Sequence, residues 1–295
     1  MVHLKRTVII IGIIVVIILT PGVYFYYKNY IALPPNISNT VFRNTGKLDR
    51  FGVLEIYPTK PGGREWFINI NNPASDGIFR PNSNTTREID GSWQIDGRLN
   101  TGKYNHEVRM EVNTPKGQQE WKNVEITGYA KVISANPPLD SLIWYARGGK
   151  HDNIVPCEGT SLKGRLTVNG SASWIKEIWH TGGYTNERAK VQATNSIIGR
   201  WIGWKVVMYN IDNGRAVKME SYLDNKSNNK WVKITDLVDN GGWYSNRPDS
   251  VFYSATCNKP KDYVITNGGS IATFRSDNMI WDFKSLSVRE IQGWK

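Results

Sequence analysis

The chain is poor in cysteine and histidine: two cysteines, Cys157 and Cys257, and four histidines in 295 residues. No Cys-x-x-Cys pair or Cys/His cluster occurs, so a zinc site is not expected. No dense Lys/Arg patch occurs, which argues against nucleic acid as a partner. Past residue 30 the chain has no long hydrophobic run, no long helical period and no internal repeat. Those absences argue against a helical bundle and a solenoid.

What is present starts at the first residues. Val8–Tyr27 carries no charge, and its 20 residues match the length that crosses a hydrocarbon core as a helix. Pro21 would kink this helix or end it early. Lys5 and Arg6 precede it and only Lys28 follows closely, so the positive-inside bias places Met1 in the cytoplasm. A cleaved signal peptide is the rival reading, but bulky Tyr26, Tyr27, Lys28, Asn29 and Tyr30 follow the run instead of a small-residue cleavage site. Residues 1–28 are therefore expected to be a cytoplasmic N-terminus and single-pass transmembrane signal-anchor, and 29–45, with Pro34 and Pro35, a linker. Residues 46–295 follow as one domain outside the cytoplasm, at the cell membrane.

Export fits the rest. It permits a disulfide between Cys157 and Cys257, whose loop of about 100 residues would contribute up to ~4–5 kcal/mol on the chain-entropy account. Asn36, Asn84, Asn169 and Asn225 open Asn-x-Ser/Thr sequons, which fit surface positions. Three of the eleven net positive charges lie in the first 28 residues, leaving the domain at +8. That bias is compatible with an acidic polysaccharide as partner, and equally with solubility alone.

The domain reads as strand and turn. In Val124–Val132 the residues Val124, Ile126, Gly128, Ala130 and Val132 alternate with Glu125, Thr127, Tyr129 and Lys131. In His106–Val112 the residues Val108, Met110 and Val112 alternate with Glu107, Arg109 and Glu111. Further strands are expected at Leu142–Arg147, Leu162–Val168, Trp174–His180, Trp204–Ile211, Val217–Leu223 and Leu286–Ile291. Many strands without crossover helices predict an all-β fold: an antiparallel two-sheet jelly-roll sandwich preceded by the single N-terminal transmembrane helix.

The closing stretch Ile271–Ile291, ending Phe-Lys-Ser-Leu-Ser-Val-Arg-Glu-Ile, resembles the last strands of concanavalin-A-like jelly rolls, the lectin and glucanase superfamily. Structural calcium would be compatible with that resemblance, but no acidic loop has recognisable ligand spacing, so no metal site or cofactor is expected. Three segments also resemble alginate-lyase-type polysaccharide lyases. His106-Glu107-Val108-Arg109 is similar to that family's Arg-Ser/Thr-Glu-Leu/Val-Arg strand. Trp174-Ile175-Lys176 with Gly183-Tyr184 is similar to its Tyr-Phe-Lys-Ala-Gly-x-Tyr strand, and Arg147 to His151 falls where the family has Gln-x-His. The chain lacks the family's first Arg and its Gln-x-His, and stretches the Lys-Ala-Gly-x-Tyr spacing.

The resemblance implies β-elimination on an acidic glycan. Such chemistry neutralises a carboxylate, abstracts the neighbouring proton and protonates the leaving oxygen. Arg109 or Arg147 would neutralise, His151 or His180 would be the base, and Tyr184 the acid. Glu107, Trp144, Tyr145, Lys176 and Trp179 would bind the chain, with Trp201 and Trp204 as further rings. Glu88-Ile89-Asp90 is similar to the paired carboxylates of jelly-roll glucanases, but Gly91-Ser92-Trp93 follows where a third acid belongs, so glycoside hydrolysis ranks below elimination. Each residue also has a plain reading: Glu107–Arg109 as a same-face ion pair, the histidines as loop or rim residues, most rings as core. The sequence thus predicts a membrane-anchored polysaccharide-binding protein that is either a lyase, a non-catalytic lectin-like adhesion module, or a structural envelope protein.

Overall fold

A computed structural model describes residues 45–99, 107–135, 140–149 and 155–293. Val8–Tyr27, most of the 29–45 linker, Asn36 and His151 lie outside the described residues. Among the described residues no helix is long and apolar enough to cross a membrane.

Two antiparallel sheets of eight strands each pack face to face. The first holds β1 (Glu65–Phe67), β3 (Thr85–Arg87), β4 (Trp93–Asp96), β6 (Val124–Ala135), β12 (Trp201–Ile211), β13 (Ala216–Asp224), β14 (Val232–Asp239) and β16 (Met279–Glu290). The second holds β2 (Phe79–Pro81), β5 (Glu107–Asn113), β7 (Ser141–Gly148), β8 (Ser161–Thr167), β9 (Ser171–Trp179), β10 (Gly183–Tyr184), β11 (Arg188–Gln192) and β15 (Ile271–Asp277). The first sheet is ordered β14-β13-β12-β6-β16-β4-β3, with β1 also on β16; the second is ordered β10-β9-β8-β7-β15-β5-β2, with β11 also on β9. Partners far apart in sequence, β6 with β16 and β7 with β15, give the sandwich its jelly-roll character.

The core forms between the sheets because alternate residues of each strand are apolar and face inward. Val108, Met110 and Val112 enter it from β5, Ile126, Ala130 and Val132 from β6, and Trp144, Trp174, Trp204 and Trp281 fill its centre. Gly128 is required there: a Cβ would lie 2.4 Å from a Leu286 methyl and 3.1 Å from the Trp144 ring. The eight strands expected from alternation all form, seven of them within three residues of their expected ends, whereas β16 starts at Met279, seven residues before the expected Leu286.

The first sheet's outward face is covered by the chain's own segment 45–59. Val53, Ile56 and Tyr57 pack there against Tyr129, Val207, Tyr209 and Tyr222. Beneath them the Glu125 carboxylate accepts from the Ile56 and Tyr57 amides and pairs with Lys205 at 2.5 Å and Arg289 at 2.8 Å. Glu125 is held below the ordinary carboxylate range: burial alone would raise it, and the two cations outweigh burial.

Candidate functional site

The second sheet's outward face is built from charged and phenolic side chains. Register places them in rows: Glu111, Thr273, Tyr145 and Lys163 in one, and Arg109, Arg275, Ile143 and Arg165 in the next. Alternation puts these residues outward because their neighbours Met110, Phe274, Trp144 and Leu162 are core.

Ion pairs link the rows. The Glu107 carboxylate accepts from Arg109 Nε at 2.6 Å and lies 3.0 Å from Arg275 Nη1. Arg275 also pairs with Asp277 at 3.0 Å. Lys163 Nζ sits 2.7 Å from Glu177 and donates to Tyr184 Oη at 3.2 Å. It also stands 4.9 Å from the Tyr145 ring and 4.8 Å from the Tyr184 ring. Arg165 pairs with Glu187 and donates to Ser141 Oγ.

Burial shifts the titrating groups. It pushes the Tyr184 phenol up to about 12, with Glu177 adding to the rise. It raises Tyr145 as well, against Arg109, Lys163 and Arg275, and lowers Lys163 against the pull of Glu177. Asp140, just before β7, is raised to about 6 by burial and by Asp277.

Three polar atoms on this face are buried without a hydrogen-bond partner: Tyr145 Oη, Thr273 Oγ1 and Arg165 Nε. The two hydroxyls belong to register partners on neighbouring strands, close enough that Thr273 offsets part of the rise that burial gives the Tyr145 phenol. Buried polar atoms are normally paired, so this group makes the face a candidate for an outside partner.

Of the residues expected from sequence, Glu107, Arg109, Tyr145 and Tyr184 meet on this face. His151 lies outside the described residues, and the other described candidates do not join them. Trp144 and Trp204 are core rings. Lys176 points between the sheets, fully buried, with Asp239 at 2.8 Å and the Tyr263 carbonyl at 2.8 Å. Trp179 packs on Phe252 with ring centroids 4.3 Å apart. Trp201 lies on the other sheet, beside Lys284 at 4.2 Å and Lys131 at 5.3 Å. His180 follows β9, its amide donating to the Glu158 carbonyl. Arg147 is turned away by a bulge: Ala146 and Arg147 together oppose Ala272, and the guanidinium donates to the Lys122 and Ile265 carbonyls and to Asn123 Oδ1. Glu88 and Asp90 sit in the turn between β3 and β4, where Asp90 accepts from Ser92, so they are not alternate strand positions.

Cys157 and Cys257 form the expected disulfide. Asn84, Asn169 and Asn225 are exposed. Among the described residues no group of three His, Cys, Asp or Glu side chains could hold a metal ion.

No protein-family model matches the chain, and neither does any curated protein sequence. Solved structures resemble it in outline. The carbohydrate-binding module CBM66 from Bacillus subtilis is 10% identical, with a TM-score of 0.42 over 72% of this chain and 95% of that one. The winged bean acidic lectin complexed with methyl-alpha-D-galactose is 8% identical, TM-score 0.44, over 78% and 100%. The VIP36 exoplasmic/lumenal domain, bound to Ca2+ and Man3GlcNAc, is 12% identical, TM-score 0.45, over 78% and 92%. Likeness at this level describes strand layout and does not bear on which ligand this chain takes.

Proposed function

We propose that this protein binds a polysaccharide on the outward face of its second sheet, displayed outside the cytoplasm by the N-terminal anchor. The observation that carries the reading is the set of buried, unpartnered atoms Tyr145 Oη, Thr273 Oγ1 and Arg165 Nε within a network of charged groups. Sugar hydroxyls both donate and accept, so they suit a face that mixes carboxylates, guanidinia and phenols. The basic groups Arg109, Arg275, Lys163 and Arg165 are matched by Glu107, Asp277, Glu177 and Glu187. Hydroxyl recognition follows from that balance more directly than attraction of a polyanion. The Val8–Tyr27 run and the charges flanking it support the anchor.

β-Elimination is the second reading. It is supported by Tyr184 across Lys163 as a proton donor and by Tyr145 beside the same lysine, although burial holds the Tyr145 phenol above its ordinary range in spite of three nearby cations. Arg109 would then meet the substrate carboxylate. The test is binding of the full chain to a glycan array, together with incubation with alginate, glucuronan and pectate. Retention of at least one glycan, lost in Arg275→Met, is the expected result. Absorbance from an unsaturated product would establish the lyase. An array without binding would overturn the assignment and leave a scaffold.

A further inference from the structure

A separate cleft lies at the end of the sandwich where β7 leaves the second sheet and β15 enters it. Its volume is about 640 Å³, within the range of small-ligand sites, and it continues into a hollow of about 370 Å³. Lys122 and Glu120 line both, and Lys259, Tyr263 and Glu158 line the larger.

Its charges are not matched among the described residues. Among the described residues no carboxylate pairs with Lys122 or Lys259, and no cation pairs with Glu120 or Glu158. Lys259 Nζ instead stands 4.5 Å from the Tyr263 ring, and burial lowers its pKa. Directly behind the lining is Arg147, wholly buried, with only neutral oxygens as acceptors; two of these are the carbonyls of the lining residues Lys122 and Ile265. Buried charges are ordinarily paired. With no carboxylate beside it, burial takes the Arg147 guanidinium down to about 9. Arg147 also holds φ +62° within the bulge, a left-handed backbone that costs energy for a side-chain-bearing residue and that concentrates at functional sites.

We propose that this cleft binds a small sugar acid, a uronate, with its carboxylate between Lys122 and Lys259 and the Arg147 charge behind them. An acid supplies the anion that the three cations lack. The unpaired Glu120 and Glu158 call for donors on the same ligand, which hydroxyls provide and a simple inorganic anion does not. The assignment stands apart from the face of the second sheet and does not rest on it.

The test is calorimetric titration of the full chain with digalacturonate, its dimethyl ester and sodium sulfate. Digalacturonate is expected to bind, at least tenfold more tightly than the ester and sulfate, and more weakly as salt rises. K122S/K259S, two substitutions on the cleft wall, is expected to weaken it at least tenfold, whereas K226S, on the exposed loop after β13, leaves it unchanged. R147M is expected to do the same as the lysine pair; if it does not fold, the lysine variant decides. Equal affinity for the ester or for sulfate, indifference to K122S/K259S, or an equal loss with K226S would each overturn the proposal.

Discussion

The outward faces of the two sheets use the same chemistry to different ends. On the first sheet Glu125 is wholly buried, yet both oxygens are engaged by Lys205, Arg289 and two backbone amides that the segment 45–59 brings across. On the second sheet Glu107 and Glu177 hold their cations in the same way, but hydroxyl and guanidinium groups beside them are left without partners. The first face is closed by its own chain. The second is closed by nothing in the described structure that satisfies Tyr145, Thr273 and Arg165. A buried ionic network is therefore no sign of a binding site by itself, and neither is an unpaired atom, since Glu55 Oε2 and Ser287 Oγ are also buried without a hydrogen bond on the first face; what differs among the described residues is the cover that segment 45–59 gives that face.

The largest effect should come from breaking the closed face. Glu125→Leu leaves Lys205 and Arg289 buried without their carboxylate and should cost about 3–5 kcal/mol in denaturant unfolding. Glycan affinity of the folded fraction should not change. An affinity loss equal to that of an open-face variant would erase the distinction drawn here.

Thr273→Val should act with the opposite sign on stability. It removes a buried hydroxyl whose hydrogen bonding within the chain is incomplete, so stability should hold or rise by about 1 kcal/mol. Glycan affinity should fall about fivefold to tenfold, the worth of one hydrogen bond. A drop in both quantities would mean that the hydroxyl is satisfied within the chain.

The smallest effect concerns pH. Asp140 has a folded pKa raised to about 6, above its unfolded value, so the folded state favours its protonated form. Its contribution is therefore fully present below about pH 4 and is lost as pH rises through 6. Asp140→Asn should melt like the parent at pH 4 and at a higher temperature at pH 7. Parallel melting curves across that range would remove Asp140 from the account.

The strands were legible where one face is apolar and the other polar. Val124–Val132 and His106–Val112 have that alternation, and the structure places β6 and β5 there with the expected faces inward. β14 was not found because it is an edge strand whose burial follows no two-residue period. The short β1 to β4 hold three or four residues each, too few to show a period. Glu107, Arg109 and Tyr184 were found from motif-like segments and Tyr145 as a candidate ring, but Lys163, Thr273 and Arg275 were not. Their relation depends on β7 lying between β8 and β15, a neighbourhood that no local pattern encodes. Lys176 shows the reverse: its parity with Trp174 turns it inward, toward an Asp239 that is 63 residues away. Arg147 leaves the face because of one extra residue in its strand, which a sequence does not announce.

The segment 45–59 also decides how the domain would carry load. A pull applied at Thr45 passes through Leu54, Ile56 and Tyr57 into Asn229, Lys205 and Glu125, and so into the middle strands of the first sheet. A pull from a ligand on the second sheet arrives from the opposite side. Tension between the two must cross the packed interior, where Trp144, Trp174, Trp204 and Trp281 interlock. Were the chain tethered and loaded in the way proposed above, the tryptophan layer would set the force at which the grip fails.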